Sequence, residues 1–326
     1  MITEIIKYKK SNYCIFAAMK TRIIALVFAF LSVLSLNAQE MDFGLNLGAA
    51  NYLGEIGGSS GEARGFLLDM RFDQTSFAVG GFFRYSFSNS LAAKLSVNFA
   101  RIEGADSLSD NPNRIARNLS FRTDMIETTI TGEYAFLVLN DLSRRSKSRV
   151  DFRAHAFTGA GILFYYPYAQ ANDEWYYLRP LQTEGVENAY NEMTIVVPLG
   201  IGASFTFNNK FRLGMEIGYR FTFTDYLDDV STDFAYDPLN PNDDVELPFE
   251  ESKIFANRSD EAFARGNPDL PDRGFYRRGS IRGNPDANDG YLLAQFNLSM
   301  VIGGGNSFYK PRYNSLIKRR RRRTKF

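Results

Sequence analysis

Across most of the chain, every second residue is apolar. From Phe211 to Phe223, the residues Phe211, Leu213, Met215, Ile217, Tyr219, Phe221 and Phe223 share one face, while Arg212, Gly214, Glu216, Gly218, Arg220 and Thr222 share the other. A helical period would mix these two sets, and a period of two separates them, so the segment reads as a β-strand. The same parity runs through Leu91, Ala93, Leu95, Val97 and Phe99, through alternate residues from Ile195 to Phe207, and through Leu292, Ala294, Phe296, Leu298, Met300 and Ile302. Eight strands are predicted on this basis, at 41–52, 77–87, 91–103, 124–138, 150–168, 193–207, 211–226 and 290–302.

Long and short connections alternate between these strands. The short ones are Ser88-Asn89-Ser90, Asn140 to Ser148 and Asn208-Asn209. An Asn-Asn pair suits the positive-φ positions of a two-residue hairpin. An even strand count with short turns at one end and long loops at the other is the pattern of a bacterial transmembrane barrel. The fold expected is therefore all-β, an eight-stranded antiparallel transmembrane β-barrel with long extracellular loops and both termini in the periplasm. A soluble sandwich or lipocalin-like barrel would point the same apolar face inward. The opposite face argues against that, because it carries Arg84, Lys94, Glu127, Glu133, Asp151, Arg153, Arg212, Glu216 and Arg220 among small polar residues. Charges of both signs suit a lumen closed by ion pairs. Arg84, Glu127, Glu133, Arg153, Arg212, Glu216 and Arg220 are the predicted lumen network, and a barrel of eight strands is filled by side chains rather than open. Aromatics at strand ends, namely Phe43, Tyr52, Tyr85, Tyr134, Phe136, Tyr165, Tyr166, Tyr168, Tyr226 and Tyr291, are expected to form interfacial girdles.

The residues before the first strand have a different character. Met19 to Ala38 places Lys20 and Arg22 ahead of an apolar run from Ile23 to Leu36, followed by a small residue, Ala38, at a cleavage position. This is the three-part pattern of a secretory signal peptide, too short to span a bilayer comfortably. Met19 is the expected start, and the organisation reads as signal peptide 1–38, barrel 39–303 and basic periplasmic tail 304–326. Cys14, the single cysteine, precedes the cut, so the exported chain has neither a disulfide nor a lipid-bearing cysteine. One histidine leaves no room for a multi-histidine metal site, and no cofactor follows from the sequence.

Charge adds one point. The 326 residues carry 38 basic and 37 acidic side chains, a formal net charge of +1, and this balance excludes nucleic-acid binding by overall positive charge. Without the five basic residues and one glutamate of residues 1–38, the remainder has 33 basic and 36 acidic groups. Seven of those basic groups lie in Lys318 to Lys325, so an acidic body precedes a basic tail.

Motifs for catalysis are sparse. Gly57-Gly58-Ser59-Ser60-Gly61 has the form of a nucleophile elbow but lies in a glycine-rich loop without the strand and helix that motif needs. His155 falls on the lumen face and reads as a hydrogen-bonding residue. Gly303-Gly304-Gly305 lacks the Lys-Ser/Thr ending of a phosphate loop. The acidic stretch Asp225 to Glu246 does not fit a calcium-loop spacing and reads as solvated. Two features remain as candidate partner contacts. The loop Gly104 to Thr123 sets Asp106, Asp110, Arg114, Arg117 and Arg122 among Ile115, Leu119 and Phe121, a composition able to fold over the barrel mouth or dock a partner. The tail carries Arg319, Arg320 and Arg321 within Lys318 to Phe326.

The stretches Asn51 to Gly58 (NYLGEIGG), Ala100 to Glu127, Gly132 to Leu137 (GEYAFL) and Phe223 to Thr232 (FTDYLDDVST) resemble the PorG-like outer-membrane β-barrel family of the type IX secretion and gliding apparatus. The resemblance runs over roughly Gln39 to Gly303 and includes the turn after strand one, Tyr52 to Gly57. It implies a non-enzymatic barrel in the bacterial outer membrane, surrounded by outer-membrane lipid, that contacts a PorK-like lipoprotein and a PorN-like periplasmic ring protein, with no nucleic acid. The chain departs from that family in its long loop before strand eight, with Gly-Asn-Pro-Asp at Gly266 to Asp269 and Gly283 to Asp286, and in its arginine tail. The alternatives are an OmpA-like adhesion or anchoring barrel, or a barrel enzyme acting on lipid or peptide.

Overall fold

The computed structural model describes residues 40–56, 74–142, 149–240 and 247–302. The predicted signal peptide, the Gly57 to Gly61 motif, Gly303 to Gly305 and the arginine tail lie outside the described residues. Among the described residues, nine strands form one antiparallel sheet: β1 (Glu40–Leu53), β2 (Thr75–Ser86), β3 (Leu91–Ala105), β4 (Ser120–Leu139), β5 (Val150–Ala171), β6 (Glu174–Tyr177), β7 (Met193–Phe207), β8 (Phe211–Thr222) and β9 (Gly290–Ile302). Each of the eight long strands pairs with its neighbours in sequence, β5 passes over the small β6 to pair with β7, and β1 pairs with β9. The sheet thus closes into an eight-stranded antiparallel barrel, and closure removes the exposed edges of an open sheet. β6 extends β5 as a short hairpin above the barrel rim.

Parity survives almost intact. Outward residues of the strands are apolar and exposed, including Leu45 at 63%, Ile130 at 64% and Phe296 at 68%, whereas inward Asp42, Asn46, Arg84, Lys94, Asn98, Glu127, Gln295 and Asn297 are buried. A water-soluble protein distributes these residue types the other way round. An apolar belt outside and a polar lumen inside make this a transmembrane barrel. No helix among the described residues is long and apolar enough to cross a membrane.

The short turns obey local chemistry. Asn208 and Asn209 have φ of 51° and 55°, as expected for the two central positions of a tight hairpin. The Asn208 side chain also accepts the backbone N–H of Arg149, which ties adjacent turns together. A β-bulge at Ala135/Leu137 interrupts the β4–β5 register near this end and leaves Phe136 and Leu137 both exposed. Met41 pairs with Ile302, so the first and last described strands end together at the short-turn end.

The predicted boundaries change mainly at the other end. β4 and β5 run beyond their expected limits, and β8 stops at Thr222 rather than 226. Thr222 Oγ1 donates to the Asp289 carbonyl, and Asp289 accepts from the Leu227 amide, so the chain turns inward across the mouth instead of extending the strand. The girdle assignment is corrected for several aromatics. Tyr52, Tyr165 and Tyr291 are buried inside the barrel, Tyr226 packs against the interior cluster, and Tyr85 keeps the outward parity of Phe83 and packs on Phe87. Phe43, Tyr134 and Phe136 do point outward near the turns, as Tyr166 and Tyr168 do on β5 near the loops. At the loop end the interior itself turns apolar, with Ile102, Met125, Leu163, Val196 and Leu293 packed against Leu227 and Val230 of the long β8–β9 connection. Both faces of the strands are apolar there, so alternation no longer distinguishes them.

Candidate functional site

Two polar constructions stand out: an ion network in the lumen and a folded cap over the long-loop end. Both include residues that strand parity or loop composition singled out.

In the lumen, Arg84 reaches three carboxylates from different strands. Its Nη1 donates to Asp42 at 3.0 Å, Nε to Glu133 at 3.0 Å and Nη2 to Glu216 at 3.1 Å. Lys94 Nζ closes on the other Glu216 oxygen at 2.5 Å, and Arg212 bridges Asp42 at 2.7 Å and Glu40 at 3.2 Å. Nearer the loops, Glu127 accepts from Arg220, Tyr291 and Asn98. Asn98 in turn links Asn46 and Gln295. A guanidinium offers five donors in a rigid fork, which lets one Arg84 tie β1, β2, β4 and β8 together. The predicted residues Arg84, Glu127, Glu133, Arg212, Glu216 and Arg220 meet in this way, and Arg153 is half-buried on β5. Glu40 and Asp42 were missed, although the alternation of Phe43, Leu45 and Leu47 already placed Asp42 on the inner face.

His155 lies in the lumen, its Nε2 3.6 Å from Glu216 and therefore outside hydrogen-bond distance. Among the described residues neither ring nitrogen has a hydrogen-bond partner, so the expected hydrogen-bonding role is not met there. Glu133, His155 and Glu216 bring potential metal-ligand atoms within 4.8 Å of one another. Arg84 already binds both carboxylates and Lys94 binds one, so a cation entering there would face two positive charges at contact. The donor set does not fit a metal site.

The cap forms from four connections. In the β3–β4 loop, Asp106 and the short helix α1 (Pro112–Arg117) fold back over the mouth. Asn111 caps α1 by accepting the Asn113 amide, and Asn118 ends it with φ of 57°. Arg117 is the centre of this region. It grips Asp106 with two hydrogen bonds at 2.8 and 2.9 Å and donates to the carbonyls of Arg282 at 2.7 Å and Glu55 at 3.3 Å. Arg282 then reaches Glu184 at 2.8 Å, the Asp229 carbonyl at 2.6 Å and the Phe255 carbonyl at 3.3 Å. Phe255 belongs to helix α2 (Glu250–Ala256), which packs on Ala169, Leu178 and Leu181. Helix α3 (Ser259–Ala264) follows it, and Phe263 of α3 joins Ala116, Phe234 and Tyr276 in a further cluster. The first part of the acidic stretch is corrected accordingly, since Asp225, Asp228 and Asp229 are buried rather than solvated, whereas Asp233 is exposed as expected and residues 241–246 lie outside the described residues.

Of the other predicted loop contacts, Asp110 is exposed and Arg114 half-buried. Arg122 lies on β4 rather than in the loop, its guanidinium 3.8 Å from the Trp175 ring centroid and 5.8 Å from that of Tyr168. Above α1 opens a cavity of about 540 Å³ lined by Glu55, Arg114, Arg117, Tyr276, Ile281 and Arg282, among others. Arg282 and Glu184, which organise the cap, carried no sequence signal because their partners are distant in the chain. Arg117→Ala is expected to leave Asp106 buried without its cation, at a cost of about 3–5 kcal/mol to the closed cap. Limited proteolysis should then nick the loops quickly while the strands stay intact, and an unchanged digestion rate would show that Arg117 does not hold the cap.

Comparison with curated proteins finds no match. Among solved structures, the N-terminal β-barrel domain of Pseudomonas aeruginosa OprF aligns over 82% of this chain and 98% of its own, at 8% identity and a TM-score of 0.32. The attachment invasion locus protein Ail of Yersinia pestis aligns over 82% of this chain and 100% of its own, at 8% identity and a TM-score of 0.28. Residues 21–242 match the family described as a domain of unknown function, DUF6089, and the chain belongs to that family.

Proposed function

We propose that this chain is a non-enzymatic outer-membrane barrel acting as a structural and assembly component of a type IX protein secretion and gliding machine. The observation that carries this reading is the lumen. Ion pairs from β1, β2, β3, β4 and β8 fill it with fixed side chains, which suits a scaffold rather than a conduit. The described strands β1 and β9 end together at the short-turn end. In the proposed orientation that end faces the periplasm, where its turns and the following tail would meet a PorK-like lipoprotein and a PorN-like ring protein. The resemblance of Tyr52 to Gly57, Ala100 to Glu127 and Phe223 to Thr232 to the PorG-like family supports the same assignment.

The tagged full-length protein should fractionate with the outer membrane, migrate differently on gels before and after heating, and co-purify with the ring proteins. Recovery from the soluble periplasm would overturn the membrane placement. Membrane recovery without ring proteins, with secretion intact in a deletion strain, would overturn the secretion role.

One observation favours a second reading, that of an OmpA-like adhesion or anchoring barrel. The cavity at the long-loop end combines Arg114 and Arg117 with the apolar side of Ile281, which is 79% exposed. That mixture suits an anionic ligand with an apolar neighbour. Under this reading a deletion strain secretes normally and loses surface attachment.

A further inference from the structure

The mouth contains a cluster of acids held together without a cation at its centre. Tyr52 Oη lies 2.6 Å from Asp228 Oδ2 and 2.6 Å from Asp289 Oδ1. A phenol carries one hydrogen, and two oxygens at that separation need a hydrogen between them. Tyr52 donates to one carboxylate, so the second contact requires a protonated carboxyl that donates to the phenol oxygen. The outer oxygens are already committed as acceptors, Asp289 Oδ2 from the Leu227 amide at 2.9 Å and Asp228 Oδ1 from the Val230 amide at 3.0 Å. The extra hydrogen therefore sits on a carboxyl oxygen facing Tyr52. Through it the end of β1, the segment after β8 and the residue before β9 are joined.

We propose that Tyr52, Asp228 and Asp289 form a proton-held latch, in which the shared proton fastens residues 225–230 across the barrel mouth and its loss releases them. All three are buried, with Asp228 at 1% and Asp289 at 2% exposure. The surrounding charges oppose ionisation. Glu55 just after β1 and Asp225 after β8 face Asp228, and Asp225 also faces Asp289. Among the described residues neither carboxylate oxygen of Asp225 has a hydrogen-bond partner, and Glu184 of the β5–β7 connection adds a further negative charge to its surroundings. Tyr165 on β5 and Tyr219 on β8 border Asp289 from the barrel side. Arg117 of the β3–β4 loop is the cation facing Asp228, and it is bonded to Asp106. Arg282 and Tyr190 serve the neighbouring Asp229 instead.

Burial is the main cause that raises the carboxyls of Asp228 and Asp289 above the ordinary range; the negative charge of Glu55 adds to it at Asp228 and those of Asp228 and Asp225 at Asp289, while Arg117 opposes it at Asp228. Asp225 is pushed up to about 8 by burial and by the charge of Asp228. The sign follows. An exposed aspartate loses its proton near pH 3.9, roughly, while the closed cap keeps it to much higher pH. Between those limits opening releases a proton, so the latch is secure on the acid side and weakens as pH rises.

The test is hydrogen exchange on the full chain folded in phospholipid vesicles, from about pH 5 to about pH 9, corrected for intrinsic exchange. The opening constant of the Leu227 and Val230 amides is expected to rise about tenfold per pH unit for each proton released. Asp289→Asn keeps a neutral partner for Tyr52 and should flatten that slope, whereas Tyr52→Phe should expose both amides at every pH. The infrared band of a protonated carboxyl should be present at neutral pH in the unmodified protein and weaker in Asp289→Asn, where the buried Asp225 and Asp228 remain. A wild-type opening constant that does not change with pH, or an equal slope in Asp289→Asn, would overturn the latch. If Asp289→Asn does not fold, the wild-type slope and carboxyl band decide alone.

Discussion

Arg84→Ala should destabilise the folded barrel by about 3–5 kcal/mol, the range for removing one partner from a buried ion network. The reason lies in what stays behind. Asp42, Glu133 and Glu216 would each lose a hydrogen-bonded cation in a lumen where Asp42 has no exposure at all. Lys94 would still neutralise Glu216 and Arg212 would still hold Asp42, but Glu133 would keep no cation among the contacts described. Urea unfolding in phospholipid vesicles measures the change. Combining Arg84→Ala with Glu133→Gln should recover part of the loss, because the stranded charge is then gone. A loss below about 1 kcal/mol, the value of an exposed pair, would mean that the lumen is wet enough to screen these charges.

Met215→Arg tests the opposite surface and is expected to cost about 2–4 kcal/mol in a bilayer, the range for a basic residue near the midplane of a barrel strand. Met215 is 54% exposed on the outside of β8, with Phe296 of β9 opposite it. In hydrocarbon the guanidinium loses its hydration and finds no partner there, whereas in water an exposed arginine would cost almost nothing. The same vesicle unfolding assay reports the difference. A change within about 0.5 kcal/mol, typical of a substitution on a wet surface, would remove that face from the membrane.

Legibility in the sequence followed physical range. Period-two alternation is local, so Phe211 to Phe223 and Leu292 to Ile302 could be assigned to strands and faces without reference to anything else. The Asn208-Asn209 turn was equally local, since the conformational preference belongs to the two residues themselves. Tyr165 and Tyr291 were misplaced because aromatic position along a strand says nothing about face once both faces are apolar. The lumen residues were identifiable as a set, but their pairing was not. Arg84 meets Glu216 only because the barrel closes and brings distant strands around one axis.

The cap shows the sharper division. Loop composition flagged Asp106 and Arg117, which lie eleven positions apart and pair within one connection. Tyr52 lies 176 positions from Asp228 and 237 from Asp289, and the three had no reason to be grouped. The acidic stretch at 225–229 reads as solvated from its residues alone, because an unpaired carboxylate belongs in water. Tertiary structure reverses that by surrounding it with Leu227, Val230 and Tyr291 and by supplying a phenol and backbone amides in place of water.

By itself, then, the sequence determined the strands, their inward and outward faces and the alternation of short turns with long loops, since each depends on residues one or two positions apart. Only the tertiary structure decided which lumen charges pair, which aromatics turn inward and how the long loops close the mouth. Those outcomes depend on barrel closure, which sets distances between side chains that the chain order leaves unrelated.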